Sequence, residues 1–267
     1  MESVQKHRPR NSWQVTKSVW HALFMREALA RTTADRMAWF WMLAEPIAMI
    51  AVFVGIRAVA ASGHRIGGAD FIPWLICGLL GFYLFRENMM RSLGAIGASK
   101  ALFAYRQVKP IDPVLIRCYL EGMLKSLVFL MFILVCSLIG IDLVPDDPLN
   151  ALFIWAAIWL LGVGVGLTIS VLDSLIPEVG KIIRILSLPL MIISGAMIPL
   201  NYLPHNLQQI LLLNPIVHGI ESLRLAFFSS YRSLPDINML YLWGWGLGLV
   251  ALGLMLHLRF EMRLKAQ

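Results

Sequence analysis

Apolar residues arrive in blocks of about twenty, and that block length decides which solvent the chain can fold in. Six blocks can be read, at about 37–58, 71–90, 114–140, 149–172, 182–200 and 239–259. Each is long enough to cross hydrocarbon as a helix, whereas outer-membrane barrel strands would show shorter segments with apolar and polar residues alternating. With 58% hydrophobic residues, 15% charged residues and a mean hydropathy of +0.72, the composition lies outside that of soluble domains. The expectation is an all-α membrane protein with six transmembrane helices. The third block, 27 residues long, makes a helix of about 40 Å, longer than the hydrocarbon core, so it should tilt or protrude.

Charge fixes the direction of crossing. Seventeen Lys and Arg fall in 1–36, 86–109, at Lys181 and Arg184, and at Arg259, Arg263 and Lys265. Four fall on the other side, Arg57, Arg65, Arg224 and Arg232. The positive-inside rule then puts both termini of a multi-pass membrane protein in the cytoplasm. The resulting plan is a cytoplasmic N-terminus at 1–36, one membrane domain at 37–259 and a cytoplasmic tail at 260–267. No cleavable signal or lipidation box is expected in 1–36, which lacks an apolar core. The net charge of +7 is dispersed along the chain rather than gathered on a soluble face, which argues against nucleic acid. Cys77, Cys118 and Cys136 sit inside apolar blocks without metal-like spacing, so they read as core residues.

Three segments are neither span nor simple loop. Residues 12–35 interleave Trp13, Val19, Trp20, Leu23 and Phe24 with Lys17, Arg26 and Arg31, the pattern of an amphipathic interface helix. It either anchors the first span at the headgroups or contacts a partner. Residues 92–105 are long enough for a short cytoplasmic helix, a docking element or a connector. Residues 201–238 hold two short apolar stretches, 210–213 and 223–228, divided by Pro204, Pro215 and Pro235. That suits a re-entrant periplasmic hairpin between helices five and six.

Charges within the apolar blocks are costly and therefore informative. Glu45 precedes Pro46 in the first block and either faces the bundle interior or a dimer interface, or is a protonated or locally paired glutamate that fixes helix packing. Arg117, Glu121 and Lys125 recur every four residues, a spacing that favours a self-neutralising ladder on one helix face over a substrate row. Glu221 and Arg224, three apart, can pair on one helix face as part of a periplasmic gate or docking surface, or form a surface ion pair of little consequence. Restoration of function by a charge-swapped double variant would be the sign of pairing. Aromatics cluster at span ends, among them Trp41 and Trp74, and mark interfacial belts or a path for sugars. No phosphate-binding loop, nucleophile and base, metal cluster or dinucleotide fingerprint is present, so the chain is not expected to be an enzyme.

Trp41-Met-Leu-Ala-Glu45-Pro46, the run from Gln107 to Arg117, and Ser194-Gly195 with Pro199, Pro204 and Asn214-Pro215-Ile-Val-His218-Gly-Ile-Glu221-Ser-Leu-Arg224-Leu-Ala-Phe227-Phe228 appear in order along the chain. Together they resemble type-2 ABC exporter permeases of the capsular polysaccharide export (KpsM-like) family. The likeness covers nearly the whole chain, departing at Asp35 to Ala38, where the family commonly has a glycine and an aromatic. The resemblance implies a homodimer with two separate ATPase subunits, which carry ATP and Mg while this chain binds no cofactor. It implies a lipid-linked acidic capsular polysaccharide as cargo, handed to periplasmic co-polymerase or adaptor-type proteins and outer-membrane export proteins. Trp20, Phe24, Lys100 and Phe103 would then contact the ATPase. Arg57, Arg65, Trp41 and Glu45 would border the substrate pathway, and His218, Glu221 and Arg224 the periplasmic gate or docking surface. The alternatives are export of O-antigen or a teichoic-acid-type polymer, or a non-conducting envelope scaffold.

Overall fold

The computed structural model describes residues 12–33, 37–59 and 65–266, and they are mostly helical. Helix α1 is Ser12–Thr33, α2 Ala38–Val59, α3 Phe71–Ser92, α4 Ile111–Leu138, α5 Pro148–Leu175 and α6 Pro177–Ile193. After α6 come α7, His205–Leu211, α8, Pro215–Phe227, α9, Met239–Arg259, and α10, Glu261–Ala266. The six apolar blocks thus correspond to α2, α3, α4, α5, α6 and α9, with ends shifted by at most three residues except at α6, which starts five residues before the expected block and ends seven before it, where the chain turns at Ser194 and Gly195. Among the described residues three helices, α4, α5 and α9, are by length and composition able to cross a membrane alone. The pair α7 and α8 meets that test only together and is bent by 104°.

Helix α3 is the axis of the bundle. Most of its side chains are buried, from Pro73 through Phe85, between α4, α5, α8 and the flanking α2 and α6. Helix α9 runs parallel to α5 along a seam of small residues. A Cβ on Gly164 would come within 2.8 Å of Leu249, and one on Gly246 within 3.4 Å of the Leu161 backbone nitrogen. In lipid, where apolar surface has no hydrophobic reason to associate, this backbone proximity is what supplies dispersion contact. The same seam carries a buried polar bond, Ser170 Oγ to His257 Nε2 at 3.1 Å.

At the end of the bundle where α3 starts, the chain before α3 forms a small antiparallel pair, β1 (Arg65–Ile66) and β2 (Ala69–Asp70), which the apolar pattern did not disclose. Its two-residue turn needs positive φ at both positions, met by Gly67 at 56° and Gly68 at 101°. Ile66 is fully buried, and Arg232 donates its backbone N–H to the Gly67 carbonyl at 2.8 Å, so the hairpin is stitched to the segment after α8. Nearby, Asp146 accepts the backbone N–H of Ser229 at 2.7 Å, which holds its carboxyl below the usual range.

At the opposite end, the expected helix at 92–105 is a tight 3-10 helix over Gly97–Ala104. Gly94, at φ 68°, turns the chain out of α3, and its N–H is held by Asp173 Oδ2 at 2.8 Å. The tail is likewise structured as far as Ala266: Leu264 of α10 is buried in one cluster with Ala95, Ile96 and Val114. Cys77, Cys118 and Cys136 are all buried free thiols.

Candidate functional site

At the end of the bundle carrying Arg86, Arg91 and Arg117, α1 lies against the start of α4. Leu23 is buried with Val108 and Ile116, flanked by Val19, Phe24, Leu102 and Phe103. Trp20 Nε1 donates to Asp112 Oδ1 at 2.9 Å, while Asp112 Oδ2 accepts the backbone N–H of Lys109 at 2.8 Å and so ties the turn before α4 to its first residues. Arg26 donates to Ser99 Oγ at 3.1 Å, tying α1 to the 3-10 helix. The two segments flagged in the sequence therefore form one structure. Trp20, Phe24 and Phe103 are brought together, and Lys100 stands exposed on the same 3-10 helix.

The charges of α4 do not neutralise one another, contrary to the ladder expected from their spacing. Arg117 pairs with Glu27 of α1 at 2.9 Å. Glu121 pairs with Arg31 of α1 and with Arg91 of α3, the latter at 3.2 Å. Lys125 turns to the face of Tyr83, its ammonium 5.6 Å from the ring centroid. The reason is tertiary. An i to i+4 pair on an exposed helix gains only a few tenths of a kcal/mol, whereas each of these groups meets an oppositely charged or aromatic partner on a neighbouring helix in a half-dry environment.

Glu45 belongs to the same system. It accepts from Arg86 at 3.0 Å, and Arg86 also reaches Ser187 Oγ of α6 at 2.9 Å and Glu87 at 3.4 Å. Glu87 meets Arg91 at 3.6 Å, and Arg91 meets Glu121. Glu45, Arg86, Glu87, Arg91, Glu121 and Arg31 thus make one run of alternating charge from α2 through α3 and α4 to α1. Of the other pathway residues, Trp41 is exposed on α2 and Arg65 forms an exposed ion pair with Asp70 across the hairpin at 3.2 Å. The side chain of Arg57, near the end of α2, lies outside the described residues. Trp41 and Glu45 stand one turn apart on α2, whereas Arg65 is held at the hairpin before α3.

The second cluster lies under the opposite end of the bundle. Glu221 and Arg224 pair at 2.7 Å with 1% and 0% of their side chains exposed, so they do not form a surface ion pair. Arg224 also donates to the carbonyls of Trp74 at 3.4 Å and Ala196 at 3.0 Å. Its guanidinium stacks 3.6 Å from the Trp74 ring centroid. Tyr231 donates its hydroxyl to Glu221 Oε2 at 3.0 Å, and burial pushes the phenol up to about 12, with the Glu221 charge adding to the effect. The space for Arg224 exists because residue 78 is glycine. A Cβ there would collide with Arg224 Nη2 and the Ala196 carbonyl. His218 is a fastener of a different kind. Its Nδ1 accepts the backbone N–H of Asn238 at 3.0 Å, which leaves Nε2 to donate to the Leu212 carbonyl at 2.8 Å. It joins the α7–α8 bend to the cap of α9, where Asn238 Oδ1 accepts from Leu240 at 2.8 Å.

Sequence reasoning missed Trp74 and Tyr231 as partners of the pair, and Arg86 and Arg91 as links to Glu45 and Glu121. Glu87 and Arg91, four apart at the end of a span, carried a signal for part of this. Trp74 to Arg224, 150 positions apart, carried none.

Helices long and apolar enough to cross, glycine-mediated helix packing and ionic groups paired between helices define a multi-pass helical membrane protein. The family described as ABC-2 type transporter matches residues 18–228, and the chain belongs to it. The chain is therefore a transport subunit and not an enzyme, and an ABC transporter permease of this kind works with an ATPase partner. Polysialic acid transport protein KpsM of Escherichia coli is 34% identical over 225 residues, covering 84% of this chain and 86% of its own. Capsule polysaccharide export inner-membrane protein CtrC of Neisseria meningitidis is 28% identical over 230 residues, covering 85% and 86%. Capsule polysaccharide export inner-membrane protein BexB of Haemophilus influenzae is 27% identical over 219 residues, 82% of each chain.

Proposed function

We propose that this chain is the membrane-spanning permease subunit of an ABC transporter that exports lipid-linked capsular polysaccharide across the bacterial inner membrane. The observation that carries the reading is its family membership joined to similarity, over more than four fifths of its length, to three proteins named for capsule or polysialic acid transport. Two copies of the chain form the conduit and two ATPase subunits drive it. Six crossings, α2, α3, α4, α5, α6 and α9, leave both termini in the cytoplasm, and the bent α7–α8 pair enters and leaves the periplasmic side without crossing. The charge bias supports this orientation. Periplasmic adaptor-type and outer-membrane proteins receive the polymer.

In this arrangement the 3-10 helix and α1 form the receiving surface for the ATPase, with Lys100 outermost and Trp20, Phe24 and Phe103 beneath. The alternating charges from Arg31 to Glu45 then connect that surface to α2. An acidic polymer moving outward down a cell-negative potential gains about 2.3 kcal/mol per charge per 100 mV, so the residual barrier is desolvation. Arg57 and Arg65, at the outer end of α2 and beyond, attract the polymer at the exit.

The test is deletion in an encapsulated host, followed by complementation. Polymer should accumulate inside and disappear from the surface, and return with this gene only when the ATPase partner is active. Unchanged surface polymer after deletion would exclude the reading. Arg57→Glu should reduce surface polymer while the ATPase still co-purifies.

A further inference from the structure

We propose that the groove between α1, α4 and α5 is a binding site for an acidic phospholipid, with the headgroup at Lys17 and His21 and an acyl chain laid along α4. The groove has two continuous parts. The first, about 570 Å³, lies under α1 and is lined by Trp13, Lys17, Trp20 and His21 above and by Leu115 and Tyr119 below. The second, about 580 Å³, continues along the outer face of α4 past Met123, Leu127 and Leu130, with Trp155 and Trp159 of α5 as its floor. Tyr119 and Trp159 line both parts.

The chemistry of the lining selects hydrocarbon. The indole N–H groups that would otherwise attract water are already used: Trp155 Nε1 donates to Ser126 Oγ at 2.8 Å, and Trp159 Nε1 donates to the Cys118 carbonyl at 3.0 Å. What is left to face the groove is indole carbon. Gly122 lets the Trp159 ring lie directly on α4, since a Cβ there would come within 2.8 Å of ring carbon Cδ1. From Tyr119 to Leu130 the groove follows about 16 Å of helix, close to the depth of one leaflet of a hydrocarbon core about 30 Å thick.

The mouth selects charge. Lys17 and His21 stand one turn apart on α1, both exposed, and neither has an acidic partner among the described residues. The carboxylate nearby in sequence, Glu27, is committed to Arg117. An acidic headgroup at the membrane surface complements this pair, and a zwitterionic one does so less well. The occupant is a bulk membrane phospholipid, not a second copy of the chain. The orientation proposed above decides only that the cytoplasmic leaflet supplies it.

Lipid retention by the purified full-length protein tests this without any export assay, so its failure is separate from failure of the transport reading. The protein in detergent is mixed with dioleoyl-phosphatidylglycerol or dioleoyl-phosphatidylcholine, and retained lipid is counted by native mass spectrometry. Phosphatidylglycerol should be retained preferentially, and Lys17→Gln, at an exposed position, should lower that preference about fivefold, the value of one lysine near an anionic surface. Ala156→Trp, which fills the groove, should reduce retention of both lipids while helix content is unchanged. Equal retention of the two lipids by the wild type, or no effect of either variant, overturns the proposal. So does efficient disulfide formation between two copies through Leu127→Cys, because a second chain would then occupy the groove.

Discussion

Arg224 holds a carboxylate, two backbone carbonyls and an indole face at once, and it does so with no exposed side-chain surface. Removing one member of such a buried pair leaves the other uncompensated, a loss of about 3–5 kcal/mol. Arg224→Gln and Glu221→Gln should each sharply lower the heat-unfolding midpoint of the purified protein, and Glu221→Leu with Arg224→Met should recover part of the loss. A charge swap should recover none of it, because a glutamate at 224 would face the Trp74 and Ala196 carbonyls and an arginine at 221 would face the Tyr231 hydroxyl. A recovered swap would show that only the mutual charge matters. Gly78→Ala should destabilise by about 1–3 kcal/mol, as overpacking does, whereas Gly55→Ala, with nothing within 4 Å of the new methyl, should not. Comparing the unfolding midpoints of these two variants checks the claim. The pairing of Glu221 and Arg224 was legible from their spacing. Their burial was not, because it depends on Trp74 and Gly78, which are ordinary members of an apolar block until the chain folds.

Among the elements, α1 is held to α4 by Glu27–Arg117 and Arg31–Glu121 together with the Leu23 cluster. Glu27→Arg should loosen α1, Arg117→Glu should do the same, and the two together should restore it, with a coupling energy of about 0.5–3 kcal/mol expected for groups in one network. Limited proteolysis within 12–33 and co-purification of the ATPase partner measure this. If the double reversal is as protease-sensitive as the singles, the ion pair does not fasten the helix. The helices themselves were readable to within three residues, since apolar length alone specifies them in lipid, except α6, where the apolar run continues past Ile193 into the turn at Gly195. What could not be read was their lateral order. Arg117, Glu121 and Lys125 share one stripe by periodicity, and periodicity says nothing of which helices face it. The 3-10 form of Gly97–Ala104 and the β1–β2 hairpin escaped for a similar reason, both being set by contacts with Asp173, Arg26, Ser230 and Arg232.

For the whole molecule, the charge bias and the bent α7–α8 pair lead to one prediction about sidedness. Reporters inserted near 67, 143 and 230 should be active only as periplasmic enzymes, and reporters near 100, 177 and 266 only as cytoplasmic fluorophores. A reporter at 213 shares the sidedness of 230 if the bent pair does not cross. Opposite signals at 200 and 230 would mean that it does, and would place the C-terminus outside. The family could be read from ordered short motifs, but the shape of the site could not, because its parts come from both ends and the middle of the chain.

Leu264, buried in one cluster with Ala95 and Ile96, puts α10 beside the segment that faces the proposed motor. A bulky tag joined directly after Ala266 would crowd that face and mimic a coupling defect, so tagged preparations need a spacer. The same closeness makes the end of α10 a useful vantage point. A small dye attached there would register displacement of the 97–104 turn during the ATPase cycle without altering any residue in it.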